Sequence, residues 1–145
     1  MRINKKIEIL DSTLREGEQT PGVSFTRSQK IEIAKMLDDF GVDFIELGHP
    51  AVSNDLYSTI KLLNSEPLTS EKIVHARLKK SDIDDAVNLG IPWIGLFFGT
   101  SKDYLHDKYN LDEKNALEMI KDSIEYAKSK GLKIRFTAED ASRTD

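Results

Sequence analysis

Three segments of the chain share one pattern, in which an amphipathic stretch ends at a glycine and a short apolar run follows within a few residues. The segments are residues 40–45, 89–94 and 130–135. A glycine in this position allows the left-handed turn that closes a helix. Strict alternation of helices and strands with short connections predicts a parallel sheet with helices packed outside it, so the pattern predicts an α/β fold.

Five apolar runs predict the strands, and four amphipathic segments between them predict the helices. The strands are expected at residues 7–11, 43–47, 72–77, 93–98 and 133–137. The helices are expected to begin at Thr26, Ser53, Ser81 and Asp112. Gln29 lies three residues after Thr26, which is the spacing of a capping box.

Two architectures fit this alternation: an open doubly wound sheet and part of a (β/α)8 barrel. No Gly-x-Gly-x-x-Gly turn follows the first strand, which disfavours a dinucleotide-binding unit. Successive strand residues point to opposite faces, so Arg135, Thr137 and Glu139 share one face of the fifth strand. A face that becomes polar toward the C-terminal end of each strand is typical of a barrel interior. We therefore predict a TIM (β/α)8 barrel of which this chain carries about the first five strands and four helices.

Such a barrel typically needs about 250 residues, whereas the chain has 145. Residues 1–145 are therefore predicted to be the N-terminal portion of a single barrel domain. No apolar run approaches the about 18 residues of a membrane-spanning helix, and the first ten residues do not form a signal peptide. The net charge of −4 without a basic block argues against nucleic-acid binding. The chain has no cysteine, which excludes a disulfide scaffold and a thiolate nucleophile.

The densest group of polar residues is the segment 11–19, directly after the first predicted strand. Its carboxylates suit a divalent cation such as Mg, Mn or Zn. Its guanidinium, Arg15, suits a developing enolate or carboxylate oxygen. A charged loop whose residues pair only with one another would have the same composition.

Other candidate residues lie near the ends of later strands. Glu46 needs a partner such as Arg15 or Arg77 if it is buried, because an unpaired buried carboxylate is costly. His75 lies on the inward face, although a lone buried histidine is usually a satisfied core residue. His49, in the loop after the second strand, is expected to be exposed.

Residues 11–19, DSTLREGEQ, resemble the signature of the metal-dependent TIM-barrel Claisen-condensing enzymes. These are the homocitrate, 2-isopropylmalate and citramalate synthases, with hydroxymethylglutaryl-CoA lyase as a relative. The resemblance continues in order through TPGV at 20–23, IELGHP at 45–50, GTS at 99–101 and RFTAEDASRTD at 135–145. It therefore covers essentially the whole chain.

The resemblance implies an acyltransferase that condenses acetyl-CoA with a 2-oxo acid in lysine or leucine biosynthesis. It also implies a divalent metal, a cytoplasmic location, and a homodimer for the full-length protein. Arg15 and Glu139 would be catalytic, and Glu16 would be a metal ligand. The substrate-binding residues would be Gln19, Glu46, His75, Arg135 and Thr137, with Glu46 also supporting Arg15.

The resemblance favours 2-oxoglutarate as the 2-oxo acid, because Arg-Glu at 15–16, His75 and Arg135 resemble homocitrate synthases. An arginine that usually follows Gly-Thr-Ser in those enzymes is absent from residues 102–108, and TPGV is also common in isopropylmalate synthases. 2-Isopropylmalate synthase, citramalate synthase and a lyase running the reverse cleavage are therefore alternatives.

The histidines are not spaced as the His-x-His that supplies two further metal ligands in this family. We therefore expect either the N-terminal piece of a longer synthase or a non-catalytic half-barrel that needs a partner chain.

Overall fold

A computed structural model describes residues 7–144, which form five strands alternating with four α-helices. The strands are β1 (Leu10–Asp11), β2 (Phe44–Glu46), β3 (Glu71–Arg77), β4 (Trp93–Gly99) and β5 (Lys133–Glu139). The helices are α1 (Arg27–Phe40), α2 (Asn54–Ser65), α3 (Lys80–Leu89) and α4 (Glu113–Ser129). Residues 1–6 and 145, which we assigned to the same domain, lie outside the described residues.

Every strand pairs in parallel with its neighbour in sequence, in the order β1-β2-β3-β4-β5. A doubly wound sheet reverses its strand order at a switch point, and no reversal occurs here. The described residues therefore form one curved wall of a (β/α)8 barrel, as predicted. The register places His75, Gly95 and Arg135 in one row across β3, β4 and β5.

The two faces of the sheet differ as the strand pattern predicts. The face toward the helices is apolar and contributes side chains with no exposed surface; these are Ile45, Val74, Ala76, Ile94 and Leu96. The opposite, concave face carries Glu46, His75 and Arg135, which contact one another across the strands. Burial of the apolar face supplies most of the driving force for packing, at about 25 cal/mol per Å², and leaves the concave face to carry polar chemistry.

The helix ends follow the sequence signals closely. The side chain of Thr26 accepts a hydrogen bond from the Gln29 backbone and the Gln29 side chain accepts one from the Thr26 backbone, so the capping box is present. Gly41 and Gly90 close α1 and α3 with φ of 89° and 69°. The third helix begins at Lys80, one residue before the predicted start at Ser81.

All five strands differ in length from the prediction: β2 is one residue shorter at each end, β3 and β4 are each one residue longer, and the first and fifth strands differ most at one end. The first was expected over residues 7–11, but only Leu10–Asp11 is regular, because the preceding segment pairs through a single carbonyl. That carbonyl, on Ile9, accepts from the N–H groups of Asp43 and Phe44. The fifth strand extends past residue 137 to Glu139, because β4 continues beside it to Gly99.

Four short helical turns in the connections were not predicted. They are 3-10 turns at Gly17–Gln19, Pro50–Val52 and Ala141–Arg143 and a π-helix at Tyr104–Tyr109. Within residues 7–144, no helix is both long enough and apolar enough to cross a membrane.

Candidate active site

The loop after β1 is held together by hydrogen bonds to one of its own backbone carbonyls. It carries two charged side chains at the C-terminal ends of the strands. The carbonyl of Ser12 accepts from the N–H groups of Arg15, Glu16 and Gly17 at 3.1, 2.8 and 3.3 Å. Asp11 accepts from the N–H of residue 13 at 2.8 Å, so it shapes the turn. The buried Leu14 anchors the loop, which turns Arg15 and Glu16 toward the concave face.

Glu46 is the centre of the candidate site. Its side chain has no exposed surface. Ser12 Oγ and Arg15 Nε donate to its Oε2 atom, each at 2.6 Å, and Arg135 Nη2 donates to its Oε1 atom at 3.0 Å. His75 Nδ1 lies 3.2 Å from the same Oε1 but is not aligned for a hydrogen bond. The carboxylate of Glu46 on β2 therefore links the loop after β1 to β5 through one buried group, with His75 of β3 beside it.

This environment keeps Glu46 ionised. Burial alone would raise the pKa of its carboxyl, but the polar side chains of His75, Ser12 and Arg15 outweigh that effect and hold the pKa at about 2. The sequence-based expectation that a buried Glu46 would pair with Arg15 is confirmed. The other suggested partner, Arg77, pairs elsewhere.

Arg135 reaches Glu46 by crossing two intervening strands on the concave face. This path passes over Gly95, where a Cβ atom would lie 3.2 Å from Arg135 Nη2. Gly95 therefore leaves the space in which the guanidinium lies. The Nε atom of Arg135 is buried without a hydrogen-bond partner, so the group has donor capacity left for a ligand.

The remaining predicted site residues lie around this centre with fewer contacts. Glu16 is 63% exposed and pairs with Arg15. Gln19 is exposed at the end of the 3-10 turn, and its side chain makes no hydrogen bond within residues 7–144. Thr137 is exposed on β5, whereas the Oε2 atom of Glu139 is buried without a partner. An unpartnered buried carboxylate oxygen at the strand end is available to a substrate proton or donor.

A second polar cluster, which sequence reasoning missed, lies beside the first. Asp82, in the first turn of α3, is 2% exposed and accepts from Arg77 Nε at 2.7 Å and Arg77 Nη2 at 3.0 Å. His49 Nε2 lies 3.2 Å from Asp82 Oδ2. The expectation that His49 is exposed is wrong, since its side chain is 16% exposed.

This second cluster lies beside the first and contacts it through aromatic rings. Burial lowers the pKa of His49, while Arg77 and His49 together hold the pKa of Asp82 below its usual range against the opposing effect of burial. The His49 ring lies edge-on to the rings of His75 and Phe97, with centroids 6.0 and 6.2 Å away. His75 itself stacks on Phe97 at 4.3 Å, so the two clusters share an aromatic contact.

The described residues do not form a metal centre by themselves. Within residues 7–144, no three histidine or acidic side chains lie close enough together to hold an ion. Glu16 is a single exposed carboxylate at the mouth. A divalent cation would need several further ligands to be held firmly.

A sizeable cavity lies away from the polar centre. It has a volume of about 750 Å³ and is bounded by α4, the π-helix and the outward-facing residues Phe136 and Ala138 of β5. Its lining is mostly apolar, including Leu105, Leu111 and Ile120. The cavity therefore lies on the helix side of the sheet, where a barrel places packing contacts rather than its chemistry.

Comparison with known proteins places this arrangement in a family. The HMGL-like family model matches residues 6–145. A homocitrate synthase from Pyrococcus abyssi is 50% identical over 137 residues, covering 94% of this chain and 38% of that protein. A homocitrate synthase from Sulfurisphaera tokodaii is 53% identical over 144 residues, covering 97% of this chain and 31% of that protein. The chain thus spans about a third of the length of these curated relatives.

Solved structures show the same fold. The HMG-CoA lyase of Bacillus subtilis superposes with a TM-score of 0.74 at 21% identity, covering 94% of this chain and 47% of that chain. An HMG-CoA lyase from Acinetobacter baumannii, solved with coenzyme A and 3-methylmalate, has a TM-score of 0.67 at 14% identity, covering 90% and 44%. At these identities the similarity establishes the partial barrel fold.

Proposed function

The chain belongs to the HMGL-like family, and from this premise we propose that it carries part of the active site of an acyltransferase that condenses acetyl-CoA with a 2-oxo acid. The favoured 2-oxo acid is 2-oxoglutarate, which would give homocitrate in lysine biosynthesis. The relatives described above, at 50% and 53% identity, are both named homocitrate synthases, which supports this choice. The structural observation that carries the proposal is the buried Glu46 carboxylate, which holds two guanidinium groups on the concave face.

The proposed reaction has three steps. A base removes a proton from the acetyl methyl group. The resulting enolate carbon then attacks the keto carbon of the 2-oxo acid, and the keto oxygen takes up a proton to become the hydroxyl group of the product. Water then hydrolyses the thioester, releasing free coenzyme A. Negative charge develops on oxygen in each step, so fixed cationic donors lower the barrier more than mobile ones do.

Arg15 is the proposed donor to that developing oxygen. Its Nε–H is committed to Glu46, which fixes the plane of the guanidinium, and its side chain is still 17% exposed. A guanidinium that is oriented in advance by a buried carboxylate need not reorganise during the reaction. Glu46 thus acts through Arg15 and Arg135 rather than on the substrate itself.

The other proposed roles follow the same layout. Arg135, whose buried Nε has no partner, would bind the oxo acid together with His75 on the concave face. Thr137 would contact the oxo acid near the C-terminal end of β5. Gln19 would lie beside the substrate. Glu139 would accept or return the proton of the acetyl methyl group, since its Oε2 is buried without a partner.

We also propose Glu16 as one ligand of a divalent cation. Its exposed carboxylate is suited to Mg, Mn or Zn. The residues that the structure describes supply only part of such a site.

A coenzyme A-release assay tests the proposed function. The full-length gene product would be supplied with acetyl-CoA and, separately, 2-oxoglutarate, 2-oxoisovalerate and pyruvate. Release of thiol with 2-oxoglutarate above the other acids is expected. Preference for 2-oxoisovalerate or pyruvate would indicate an isopropylmalate or citramalate synthase instead, and no release with any acid would refute the synthase proposal.

The open edges of the sheet favour a second candidate, a half-barrel that acts only with a partner. Within residues 7–144, β1 pairs only with β2 and β5 only with β4, so each has an unpaired side. Unpaired strand edges expose backbone N–H and C=O groups, which proteins usually cover with another segment or another chain. The apolar cavity beside β5 is a second surface of this kind. Co-purification of a second chain with the full-length gene product, together with inactivity of the product alone, would support this candidate.

A further inference from the structure

Lys30 is a buried cation that the proposed chemistry does not use. It lies in the first turn of α1 and is 5% exposed. Its ammonium group donates to Glu18 Oε2 at 2.6 Å. A cation in the first turn of a helix is disfavoured by the helix dipole, and burial adds a desolvation cost. The charge of Lys30 is therefore unfavourable for α1 on its own, and the contact that it provides is the one with Glu18.

Glu18 joins two segments of the chain through its two carboxylate oxygens. Its Oε2 atom accepts from Lys30, and its Oε1 atom accepts from the backbone N–H of Phe25 at 3.1 Å. Hydrogen bonds to an ionised acceptor are short and strong, so the two donors together fix the direction of the carboxylate. Glu18 therefore closes the loop between residues 18 and 25 and attaches this loop to α1.

The same contacts distinguish the three carboxylates of the segment 11–19. Asp11 accepts from the backbone N–H of residue 13 and shapes the turn after β1. Glu18 has both oxygens engaged by Lys30 and Phe25. Glu16 is the carboxylate of this segment whose side chain is most open to a ligand, since it is 63% exposed. Glu18 is therefore a structural neighbour of the site rather than a ligand in it.

Glu18 lies in the short turn that carries both Glu16 and Gln19. The backbone N–H of Gln19 donates to the Glu16 carbonyl at 3.0 Å. Within residues 7–144 the Gln19 side chain makes no hydrogen bond, so its position follows that of the backbone. Consecutive Cα atoms are about 3.8 Å apart, so a displacement of Glu18 displaces both of these neighbours.

The signature loop is thus anchored at two places. Its first half is held by the Ser12 carbonyl and by the contact of Arg15 with Glu46. Its second half is held by the contact of Glu18 with Lys30. A buried ion pair often adds little net stability compared with apolar residues of similar volume, so its effect on local geometry is the larger one.

We propose that the buried Lys30–Glu18 pair positions Glu16 and Gln19 for the 2-oxo acid. Lys30 and Glu18 are then positioning residues, which act through the backbone of the 3-10 turn and do not contact the substrate. The proposal rests on the function proposed above, since it concerns the same site.

Kinetic constants of the full-length gene product test this role. Lys30→Met and Glu18→Gln should each lower kcat/KM for the preferred 2-oxo acid by about 10- to 100-fold, because a misplacement of about 1 Å has effects of this size. The loss should include a higher KM for the 2-oxo acid, while the KM for acetyl-CoA changes by less than about twofold. Partial unfolding alone would lower kcat and leave both KM values unchanged.

A double variant separates positioning from folding. Each single variant leaves one charge without its partner, whereas Lys30→Met/Glu18→Gln removes both charges and decides the question if a single variant fails to fold. Because the two residues act as a unit, the double variant should lose no more activity than the worse single variant.

Amide hydrogen exchange gives a readout that does not depend on catalysis. The amides of residues 15–20 should exchange at least about 10-fold faster in the double variant, while those of β4 are unchanged. Arg27→Gln is the matched control, because Arg27 lines the same cavity as Lys30 and Glu18 but forms an exposed pair with Asp55. It should leave the kinetic constants and the exchange rates unchanged.

The results that would overturn the proposal are an unchanged KM for the 2-oxo acid in the folded variants, additive losses in the double variant, or faster exchange spread over all strands. If the unmodified protein releases no coenzyme A with any 2-oxo acid, the proposed function is wrong and the exchange experiment decides alone. Faster exchange confined to residues 15–20 would then support the positioning role of the pair, and unchanged exchange would refute it.

Discussion

Replacing Glu46 by glutamine should remove more stability than any other isosteric change on the concave face. The amide keeps the size of the side chain but loses its charge, so Arg15 and Arg135 lose their common counter-ion. Breaking a buried ion pair by removing one partner typically costs about 3–5 kcal/mol. We therefore expect a large loss at neutral pH.

The pKa of Glu46 gives an independent magnitude and a pH window. Its fall from the ordinary 4.5 to about 2 corresponds to about 3 kcal/mol of stabilisation by the ionised form. Because the folded-state pKa is the lower one, this stabilisation is complete above about pH 5 and is lost as the pH falls from 4.5 toward 2. Roughly 2 kcal/mol of it should be gone by pH 3.

Urea denaturation of the full-length gene product and of Glu46→Gln, at pH 7, 5, 4 and 3, measures this directly. The gap in unfolding free energy should be constant from pH 7 to 5 and shrink at pH 4 and 3, at unchanged m-value. Asp38→Asn is the matched control: the pKa of Asp38 is also about 2, but its partners are Ser70 and Thr69, so it should lose stability without losing activity. A Glu46 gap that is absent, or independent of pH, would refute the reasoning.

Three further predictions follow from single contacts. Arg15→Ala should lower turnover by at least about 100-fold while circular dichroism shows an intact fold, because its donor is lost at the reacting oxygen; near-normal turnover would disprove that role. Gly95→Val should raise the KM for the oxo acid, because its side chain occupies the path of Arg135, and an unchanged KM would show that Arg135 does not contact the substrate. Gly99→Ala should expose the π-helix to limited proteolysis, because a Cβ atom there overlaps the Tyr104 ring; an unchanged cleavage pattern would contradict this packing.

The sequence predicted the fold well because its signals are local. The capping box at Thr26 and the glycines after α1 and α3 act through a few neighbouring residues, so they mark helix ends without tertiary information. Strand alternation placed Glu46, His75 and Arg135 on one face for the same reason. The length of β1 was overestimated because strand length depends on pairing, and within residues 7–144 β1 pairs with β2 through only two residues.

The contacts of the site were less predictable because they join distant residues. Arg135 and Glu46 are 89 residues apart in the sequence. Their hydrogen bond is possible because Gly95, which lies between them, has no side chain. The burial of His49 depends on Asp82, which lies 33 residues later at the start of another helix. Neither contact has a signature in a single sequence, since each depends on how neighbouring βα units pack.

The most direct test of the central proposal is to identify the product formed by the full-length gene product from methyl-¹³C acetyl-CoA and 2-oxoglutarate. Mass spectrometry should detect a hydroxy-tricarboxylic acid that contains one labelled acetyl unit and one intact 2-oxoglutarate skeleton, formed in equal amount with free coenzyme A. Release of coenzyme A with the label recovered only as acetate, or no labelled condensation product with any 2-oxo acid, would contradict the proposal.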